Sequence, residues 1–385
     1  MEKYVCIDMG ASETRFSSGL SAEHEAKTIP NSMIEVGIDE DVRVEPATRD
    51  PYDCLDVTIR KEGLSAEDAK YFYDRVLIGE LAKKYTGAPE RPTGMVSKVD
   101  QNINYTSAIV ATAMSLIRDG NVGEVGNVDM FVVLPPLEVK NKHEVFESRI
   151  KGSYTVIFNK MNKVVKFRIA EVKCYAESQA AIISFLFNRN GTLTSEAQRF
   201  KEGCILSMDI GASTTDLVVI ENLKYNERTG QTYKNGGNIC ITALKSLIEG
   251  NIGLYYDDPT IEEILKSGRR RSGNKFIDAS DLVKKAKQAY ARDIVNEIQN
   301  YFRTIAMPIQ NMRAIVVSGG GSMPSGYTDD SGEFVETVPA MSEFITEKLL
   351  QVCPDIEVIT MQNPRYANIE GIERLAQFAM ARARG

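Results

Sequence analysis

The stretch CIDMGASETRF, residues 6–16, returns about two hundred residues later as LSMDIGASTTDLV, residues 206–218. Over eight aligned positions, five pairs are identical: Asp8/Asp209, Gly10/Gly211, Ala11/Ala212, Ser12/Ser213 and Thr14/Thr215. An internal repeat of this kind indicates a duplicated structural unit. An apolar, β-rich run precedes and follows each copy, so each copy predicts a β-hairpin whose turn carries Asp-x-Gly-Ala-Ser.

The two predicted turns have a chemical use. Glycine and other small residues let successive backbone N–H groups approach an anion, and an aspartate at a strand end can hold a hydrated magnesium ion beside it. We therefore expect the two turns to clamp a triphosphate. The eighth position is Arg15 in the first copy and Asp216 in the second, which predicts that one turn faces a phosphate and the other faces the metal. A single turn would more simply be structural, but the duplication favours function.

Composition limits the class of protein. The chain has 385 residues, of which 43% are hydrophobic and 26% charged, as in globular proteins of two or three domains. The net charge of −7 disfavours general nucleic-acid binding. Six scattered cysteines and two distant histidines argue against zinc sites, a disulfide framework and histidine catalysis. Since no stretch is apolar enough to span a membrane, we expect a cytoplasmic protein with no membrane partner.

The rest of the chain predicts alternating strands and helices, and therefore an α/β architecture with a substantial parallel component. A glycine turn at residues 318–322 ends one predicted strand and precedes a predicted helix, and its lack of side chains would let a purine lie against the backbone. The basic run 269–271 is expected in an exposed, solvated loop. Helices are expected at 106–117, 178–187, 241–249, 260–266 and 280–305, strands at 129–134 and 314–317, a loop at 120–126, and a hairpin at 154–169.

The chain has no GxxxxGK[ST] motif and no GxGxxG opening, which argues against P-loop and dinucleotide-binding folds. It resembles instead the actin-like ATPase superfamily, which also contains heat-shock chaperones and sugar kinases. Residues 8–15 and 209–216 look like the two phosphate motifs of that superfamily, residues 318–322 like its adenosine motif, and residues 366–371 like its second connecting motif. The order and the spacing of the four segments agree with the superfamily.

This resemblance implies an α/β, actin-like fold. Two similar halves, each a duplicated mixed-sheet core with an inserted subdomain, would surround a nucleotide cleft. We expect the first half at 1–195 with a small insertion at about 21–85, and the second at 196–362 with an insertion at about 240–290. Residues 363–385 would form a C-terminal helix that returns to the first half.

Within the superfamily, three segments are similar to the plasmid-partitioning filament proteins of the ParM kind. They are VLIGELA at 76–82, the strand that ends in LPP at Pro136, and the hairpin that leads to CYAES at 174–178. In that family a carboxylate at the start of the helix between the phosphate motifs positions the attacking water, and Glu177 matches it. A carboxylate there is also a simple helix-start residue. By the same resemblance Glu263 and Lys266 would contact ribose and adenine, although an ion pair would also explain their spacing.

The resemblance thus implies a catalytic set of Glu177, Asp209 and Asp8, in which the two aspartates hold magnesium through water. The implied nucleotide-binding residues are Gly10, Ala11, Ser12, Thr14, Arg15, Gly211, Ala212, Ser213, Thr214, Asp216, Gly237, Glu263, Lys266, Gly319, Gly320, Gly321, Ser322 and Met323.

The function implied by the resemblance is ATP hydrolysis with Mg²⁺, coupled to nucleotide-dependent filaments that segregate plasmids or other DNA. The expected partners are further copies of the chain and a DNA-binding adaptor protein. A non-filamentous ATPase or small-molecule kinase remains an alternative, as does a cell-shape or division actin, although no sugar site and no terminal amphipathic anchor stand out. A heat-shock chaperone is not expected, because the residues after Gly321 are needed to complete the ATPase core.

Overall fold

A computed structural model describes residues 3–19, 26–43, 54–85, 89–93 and 96–384. The chain forms two compact units, one of Met1–Thr192 with Asn368–Gly385 and the other of Leu193–Ala367. The predicted boundaries at 195/196 and 362/363 lie within a few residues of these. The similarity of the halves and the two insertions stay predictions, and residues 20–25 and 44–53 of the first insertion lie outside the described part.

The first unit is built on one mixed sheet, flanked by helices. Its strands are β1 (Lys3–Met9), β2 (Glu13–Ser18), β3 (Lys27–Pro30), β4 (Met33–Glu35), β5 (Cys54–Lys61), β6 (Arg75–Gly79), β7 (Gly123–Leu134), β8 (Gly152–Phe158) and β9 (Lys163–Ala176), and its first four helices are α1 (Glu80–Lys84), α2 (Asn102–Arg118), α3 (Pro136–Ile150) and α4 (Glu177–Leu186).

The strands run in the order β3-β2-β1-β7-β9-β8-β5-β6-β4 among the described residues. The pairs β1–β7 and β7–β9 are parallel and the others antiparallel. Helix α2 lies in the core, since every residue from Ile103 to Ile117 is buried. The small side chains of its SAIVATAMS segment let it pack against both β1 and β2.

The second unit has a smaller mixed sheet and two separate hairpins. Its elements are α5 (Ser195–Arg199), β10 (Cys204–Ile210), β11 (Thr215–Glu221), β12 (Lys224–Tyr225), β13 (Gln231–Tyr233), α6 (Asn238–Ile252), α7 (Asp258–Ser267), β14 (Arg269–Ser272), β15 (Lys275–Asp278), α8 (Ser280–Thr304), β16 (Met312–Ser318), β17 (Ser325–Thr328), β18 (Phe334–Val338), α9 (Met341–Leu349) and β19 (Glu357–Thr360). The last helix of the chain is α10 (Ala367–Arg384), which belongs to the first unit from Asn368 onward.

The sheet of the second unit follows the order β12-β11-β10-β16-β19, with β13 also paired to β11. The pairs β10–β16 and β16–β19 are parallel. Helix α8 buries one face, including Val283, Tyr290, Ile294 and Ile298, against this core and leaves polar residues on the other. None of the helices in the described ranges is long and apolar enough to cross a membrane.

The α/β class and the two hairpins of the sequence repeat are confirmed. Strands β1 and β2 pair antiparallel, with Met9 opposite Thr14, and β10 and β11 do the same, with Ile210 opposite Thr215. The helices predicted at 106–117, 178–187, 241–249, 260–266 and 280–305 are all present, each with bounds within four residues of those expected. The 154–169 hairpin is present as β8 and β9.

Three local predictions are wrong. The run Arg269–Ser272 is a strand of a hairpin, not a loop, because Gly273 adopts a φ of 59° that allows a two-residue turn before β15. The glycine turn 318–322 leads into the hairpin β17–β18, not into a helix. The predicted loop 120–126 is shorter than expected, since β7 begins at Gly123 and pairs there with Val165.

Candidate active site

The first repeat turn connects β1 to β2 in the first unit. The Gly10 N–H donates to the Glu13 carbonyl at 3.0 Å and closes the turn. A Cβ at Gly10 would lie 2.8 Å from that same carbonyl oxygen, so the position requires glycine. The Asn31 side-chain amide donates to the Gly10 carbonyl at 2.5 Å, and its oxygen accepts from the Thr14 hydroxyl at 2.9 Å. Asn31, which directly follows the adjacent strand β3, therefore fixes the turn.

The second repeat turn, in the second unit, has the same backbone closure. The Gly211 N–H donates to the Thr214 carbonyl at 2.9 Å. Here the start of α6 takes the place of Asn31, because the Gly237 N–H donates to the Gly211 carbonyl at 2.9 Å. The Thr215 hydroxyl, equivalent to that of Thr14, donates to the Asn235 carbonyl at 2.5 Å. The two turns therefore have the same backbone closure, but Asn31 holds the first and the start of α6 holds the second.

The charges at the two turns differ. In the first, Arg15 stands opposite Asp8 in the strand pair and donates to its Oδ2 at 2.8 Å, and it also pairs with Glu13 at 2.7 Å. In the second, Asp216 stands opposite Asp209, and both side chains are buried. The first turn is therefore charge-compensated, whereas the second places two carboxylates on facing positions.

The residues of the second turn suit a hydrated magnesium ion. Carboxylates are the ligands that Mg²⁺ prefers, and it commonly keeps several waters with one or two protein carboxylates. Asp209 and Asp216 offer such a pair, and one Asp216 oxygen is oriented by the Thr232 hydroxyl at 2.6 Å. Asp8 fits less well, because Arg15 already occupies one of its oxygens. No cluster of three or more metal-ligating side chains occurs in the described part of the chain, so direct protein ligation would be sparse.

The third glycine turn packs directly on the second repeat turn. A Cβ at Gly319 would approach Asp209 Oδ1 and the Ile210 carbonyl oxygen to 2.3 Å, and one at Gly321 would lie 2.7 Å from the Ile210 side chain. Gly237 and Gly321 also meet closely, since a Cβ at Gly237 would be 3.2 Å from the Gly321 Cα. The missing side chains therefore allow three backbone segments to converge beside Asp209.

Glu177 is the first residue of α4 in the first unit, as predicted, and it forms an ion pair that the sequence did not reveal. Its Oε1 accepts from Lys98 Nζ at 2.5 Å, and the same Nζ donates to the Met9 carbonyl at 2.5 Å. Burial lowers the pKa of Lys98, but the charges of Glu177, Asp8 and Glu138 and the hydrogen bond to Glu177 together raise it, so the pKa lies above its ordinary value. Lys98 thus places a fixed positive charge beside the first turn.

Lys98 is held by the helix that follows the LPP segment. Glu138, in the first turn of α3, accepts from the backbone N–H groups of Lys98 and Val99 at 2.9 and 3.2 Å. The residues 98–100 form a single helical turn. A lone lysine in a short polar segment carries no sequence signal, which explains why the sequence reading missed it.

The helix that carries Glu177 rests on α10. A Cβ at Gly371 would lie only 1.6 Å from the Ala180 carbonyl oxygen, so α10 and α4 approach closer than any side chain permits. This residue ends the segment 366–371 that resembles the second connecting motif. Its physical role is therefore to let α10 support α4.

Two of the predicted adenosine contacts lie apart from this cluster. Lys266 is 68% exposed and pairs with Glu262 at 2.6 Å, rather than with Glu263 as the ion-pair alternative proposed. No described contact links the exposed Glu263 side chain or Lys266 to the glycine turns. Their role toward ribose and adenine stays a prediction, as do the roles of the other site residues.

Comparisons with known proteins find chains of similar fold. Residues 207–326 match the family model "Archaeal actin homologue MreB-like, C-terminal". The solved structure of the actin-like protein Alp7A superposes with a TM-score of 0.75 at 18% identity, covering 100% of this chain and 98% of that one. A comparison with curated protein sequences finds no match.

Two further solved structures extend the likeness. Ta0583, an archaeal actin homologue, superposes with a TM-score of 0.66 at 16% identity over 98% of this chain and 100% of that one. Bacillus thuringiensis ParM with ATP superposes with a TM-score of 0.65 at 17% identity over 99% of each chain. The resemblance deduced from the duplicated turns is thereby confirmed, and the chain has the actin-like fold.

Proposed function

We propose that the chain is a magnesium-dependent ATPase that binds ATP and ADP at its repeated turns. The observation that carries the proposal is the equivalence of the two turns, which share one backbone closure, one buried aspartate and one anchored threonine. Such turns suit the oxygens of a polyphosphate. The solved ParM structures with ATP and with AMPPNP, which have the same fold, support it as well.

In this proposal each group of site residues has its own role in ATP binding and hydrolysis. The turns at Gly10 and Gly211 would orient phosphate oxygens through backbone N–H groups, and Lys98 would stabilise negative charge near the first turn. Glu177, held by its ion pair with Lys98, would accept a hydrogen bond from the attacking water and so aim it at the terminal phosphorus. Asp209 and Asp216 would hold magnesium through water, and the bound ion would supply charge neutralisation at the phosphates.

We propose further that ATP binding drives self-assembly into filaments in the cytoplasm, for plasmid or other DNA segregation with a DNA-binding adaptor. Contacts of the head-to-tail type that do not close into a ring generate filaments. A protein whose surface changes with nucleotide state would then assemble and disassemble as ATP is hydrolysed. The fold shared with Alp7A and ParM supports this step.

Sedimentation and phosphate release, measured on the same samples, test the proposal. Wild-type protein with ATP and magnesium should release phosphate and pellet, and samples with EDTA should do neither. Phosphate release without pelleting at any protein concentration would contradict the filament step. ATP consumption that requires an added hydroxyl acceptor and yields a phosphorylated product would replace the ATPase with a kinase.

A further inference from the structure

Lys287, on α8 in the second unit, holds the chain that leaves the third glycine turn. Its side chain is buried, with 4% of the residue exposed. Its Nζ donates to the Met323 carbonyl and to the Pro339 carbonyl, both at 3.0 Å. Met323 directly follows the turn Gly320–Ser322, and Pro339 directly follows β18. One ammonium group therefore binds the backbone at both ends of the segment 323–339, which contains the β17–β18 hairpin.

Within this segment, other side chains form hydrogen bonds to α7 rather than to α8. The Ser325 hydroxyl donates to the Leu265 carbonyl at 2.6 Å, and the Thr337 hydroxyl donates to the Ser267 carbonyl at 3.1 Å. Lys287 is thus the link between the helix core and the carbonyl next to the glycine turn. A buried charged donor makes stronger hydrogen bonds than a neutral one.

We propose that Lys287 is a positioning residue for nucleotide binding, whose ammonium group fixes the glycine turn 319–322 in its binding conformation. The inference rests on the proposed function and on the sequence prediction that this turn faces the base of the nucleotide. When the amine is neutral or absent, the turn is held less firmly. Nucleotide binding must then supply the ordering, so the affinity falls.

The surroundings of Lys287 place its titration within an accessible range. Burial lowers its pKa to about 8, and the carboxylates of Glu336 on β18 and Glu343 on α9 oppose this shift, while Cys240 on α6 also faces the amine. Burial raises the pKa of the Cys240 thiol to about 12, so this thiol stays neutral there. Affinity for nucleotide should therefore fall as the pH rises through about 8.

The same pKa predicts the opposite sign for fold stability. The pKa of Lys287 is lower in the folded chain than in the unfolded one, whose ordinary value is 10.5. The unfolded chain binds more protons between these values, so the contribution of Lys287 to stability rises over that range. A purely structural lysine would give this stability trend and leave the nucleotide affinity unchanged.

Binding of Mg-ADP by calorimetry, between about pH 7 and pH 9.5, tests the inference. Wild-type Kd should rise about tenfold across this range, the weakening expected when a charge-assisted hydrogen bond becomes neutral. Lys287→Met should bind weakly at every pH, and Lys287→Arg should show no pH dependence because guanidinium stays protonated. Lys284→Met, which removes an exposed lysine of the same helix, is the matched control and should follow the wild type.

A wild-type Kd that is flat with pH, or a Lys287→Met variant that keeps the wild-type profile, would overturn the inference. Thermal unfolding establishes that the variants fold. If the wild type binds no Mg-ADP at all, the proposed function fails instead. Hydrogen exchange of residues 319–340 without nucleotide then decides the role of Lys287 alone, since faster exchange in Lys287→Met than in Lys287→Arg at one pH is expected and equal rates would contradict it.

Discussion

The pair of Lys98 and Glu177 links the candidate chemistry to the fold of the first unit. Glu177 is fixed by the start of α4, and Lys98 by Glu138 of α3. An ion-paired carboxylate is a weaker base than a free one but a well-oriented hydrogen-bond acceptor. Under the proposed function, a Glu177 that aligns water is therefore expected, rather than one that removes a proton early.

Replacement of Glu177 by glutamine should slow ATP hydrolysis about a hundredfold while leaving ATP binding intact, because the amide keeps the size but loses the acceptor charge. Single-turnover phosphate release, together with ATP titration, measures the two effects separately. Glu196→Gln changes an exposed carboxylate in the first turn of α5 and should have no effect. If the Glu177→Gln variant hydrolysed ATP at the wild-type rate, Glu177 would have no catalytic role and would serve only as the first residue of α4.

Replacement of Lys98 by methionine should both slow hydrolysis and destabilise the first unit. It removes the Lys98 ion pair from the Glu177 carboxylate, only 8% exposed, a loss of about 2 kcal/mol for a partly buried pair. The double variant with Glu177→Gln should recover most of the stability and none of the activity. Chemical denaturation of the wild type, both single variants and the double variant measures this coupling, and additive effects would refute it.

Single site residues could be predicted from the sequence only where a motif marks them. Glu177 and the aspartates of the repeat could be chosen because a family pattern or a duplication marks them. Lys98 could not, since its role arises from β1, α3 and α4 meeting around it, and no spacing in the sequence encodes that meeting. The mistaken partner of Lys266 has a similar origin, because rotamer geometry and not spacing decides between Glu262 and Glu263.

Among the elements, the contact of α10 with α4 is the tightest that supports the site. Gly371→Ala should destabilise the fold by about 2 kcal/mol or more, because the new methyl group overlaps the Ala180 carbonyl and the helices must separate. Since α4 begins with Glu177, ATP hydrolysis should also fall.

Gly250 in α6 provides the matched control for Gly371. A Cβ there meets no atom within 4 Å, so Gly250→Ala should stabilise the protein by about 0.5–1 kcal/mol through helix propensity. Thermal unfolding of both variants measures these changes in stability, which should have opposite signs. If the Gly371→Ala variant were more stable than the wild type, α10 and α4 would not be in close contact at this position.

The elements themselves could largely be predicted, because apolar periodicity marks α2, α4 and α8 and the repeat marks two hairpins. The β14–β15 hairpin was missed because three consecutive arginines suggested solvation. In the structure Arg269 stacks on the Phe276 and Tyr327 rings, at 4.4 and 4.0 Å, which partly buries the strand. The Gly273-Asn274 pair was the available signal, since such dipeptides favour two-residue hairpin turns.

For the whole molecule, charge should govern the proposed assembly. At a net charge of −7, subunits repel one another at long range. Moderate salt screens this repulsion and should lower the protein concentration needed for pelleting with ATP. Light scattering across a salt series measures the critical concentration. A steady rise of that concentration with salt would instead indicate an interface held by ion pairs.

The most direct test of the central claim compares one aspartate from each turn. Asp8→Asn and Asp209→Asn keep the size of the side chains. The first removes the carboxylate that pairs with Arg15 at the first turn, and the second removes a carboxylate proposed to hold magnesium. Each should lower magnesium-dependent phosphate release from ATP about a hundredfold, whereas Asp330→Asn, which changes an exposed aspartate of the β17–β18 loop, should match the wild type. If either turn variant hydrolyses ATP at the wild-type rate, the repeat is structural in that unit and the account of a duplicated phosphate site is contradicted.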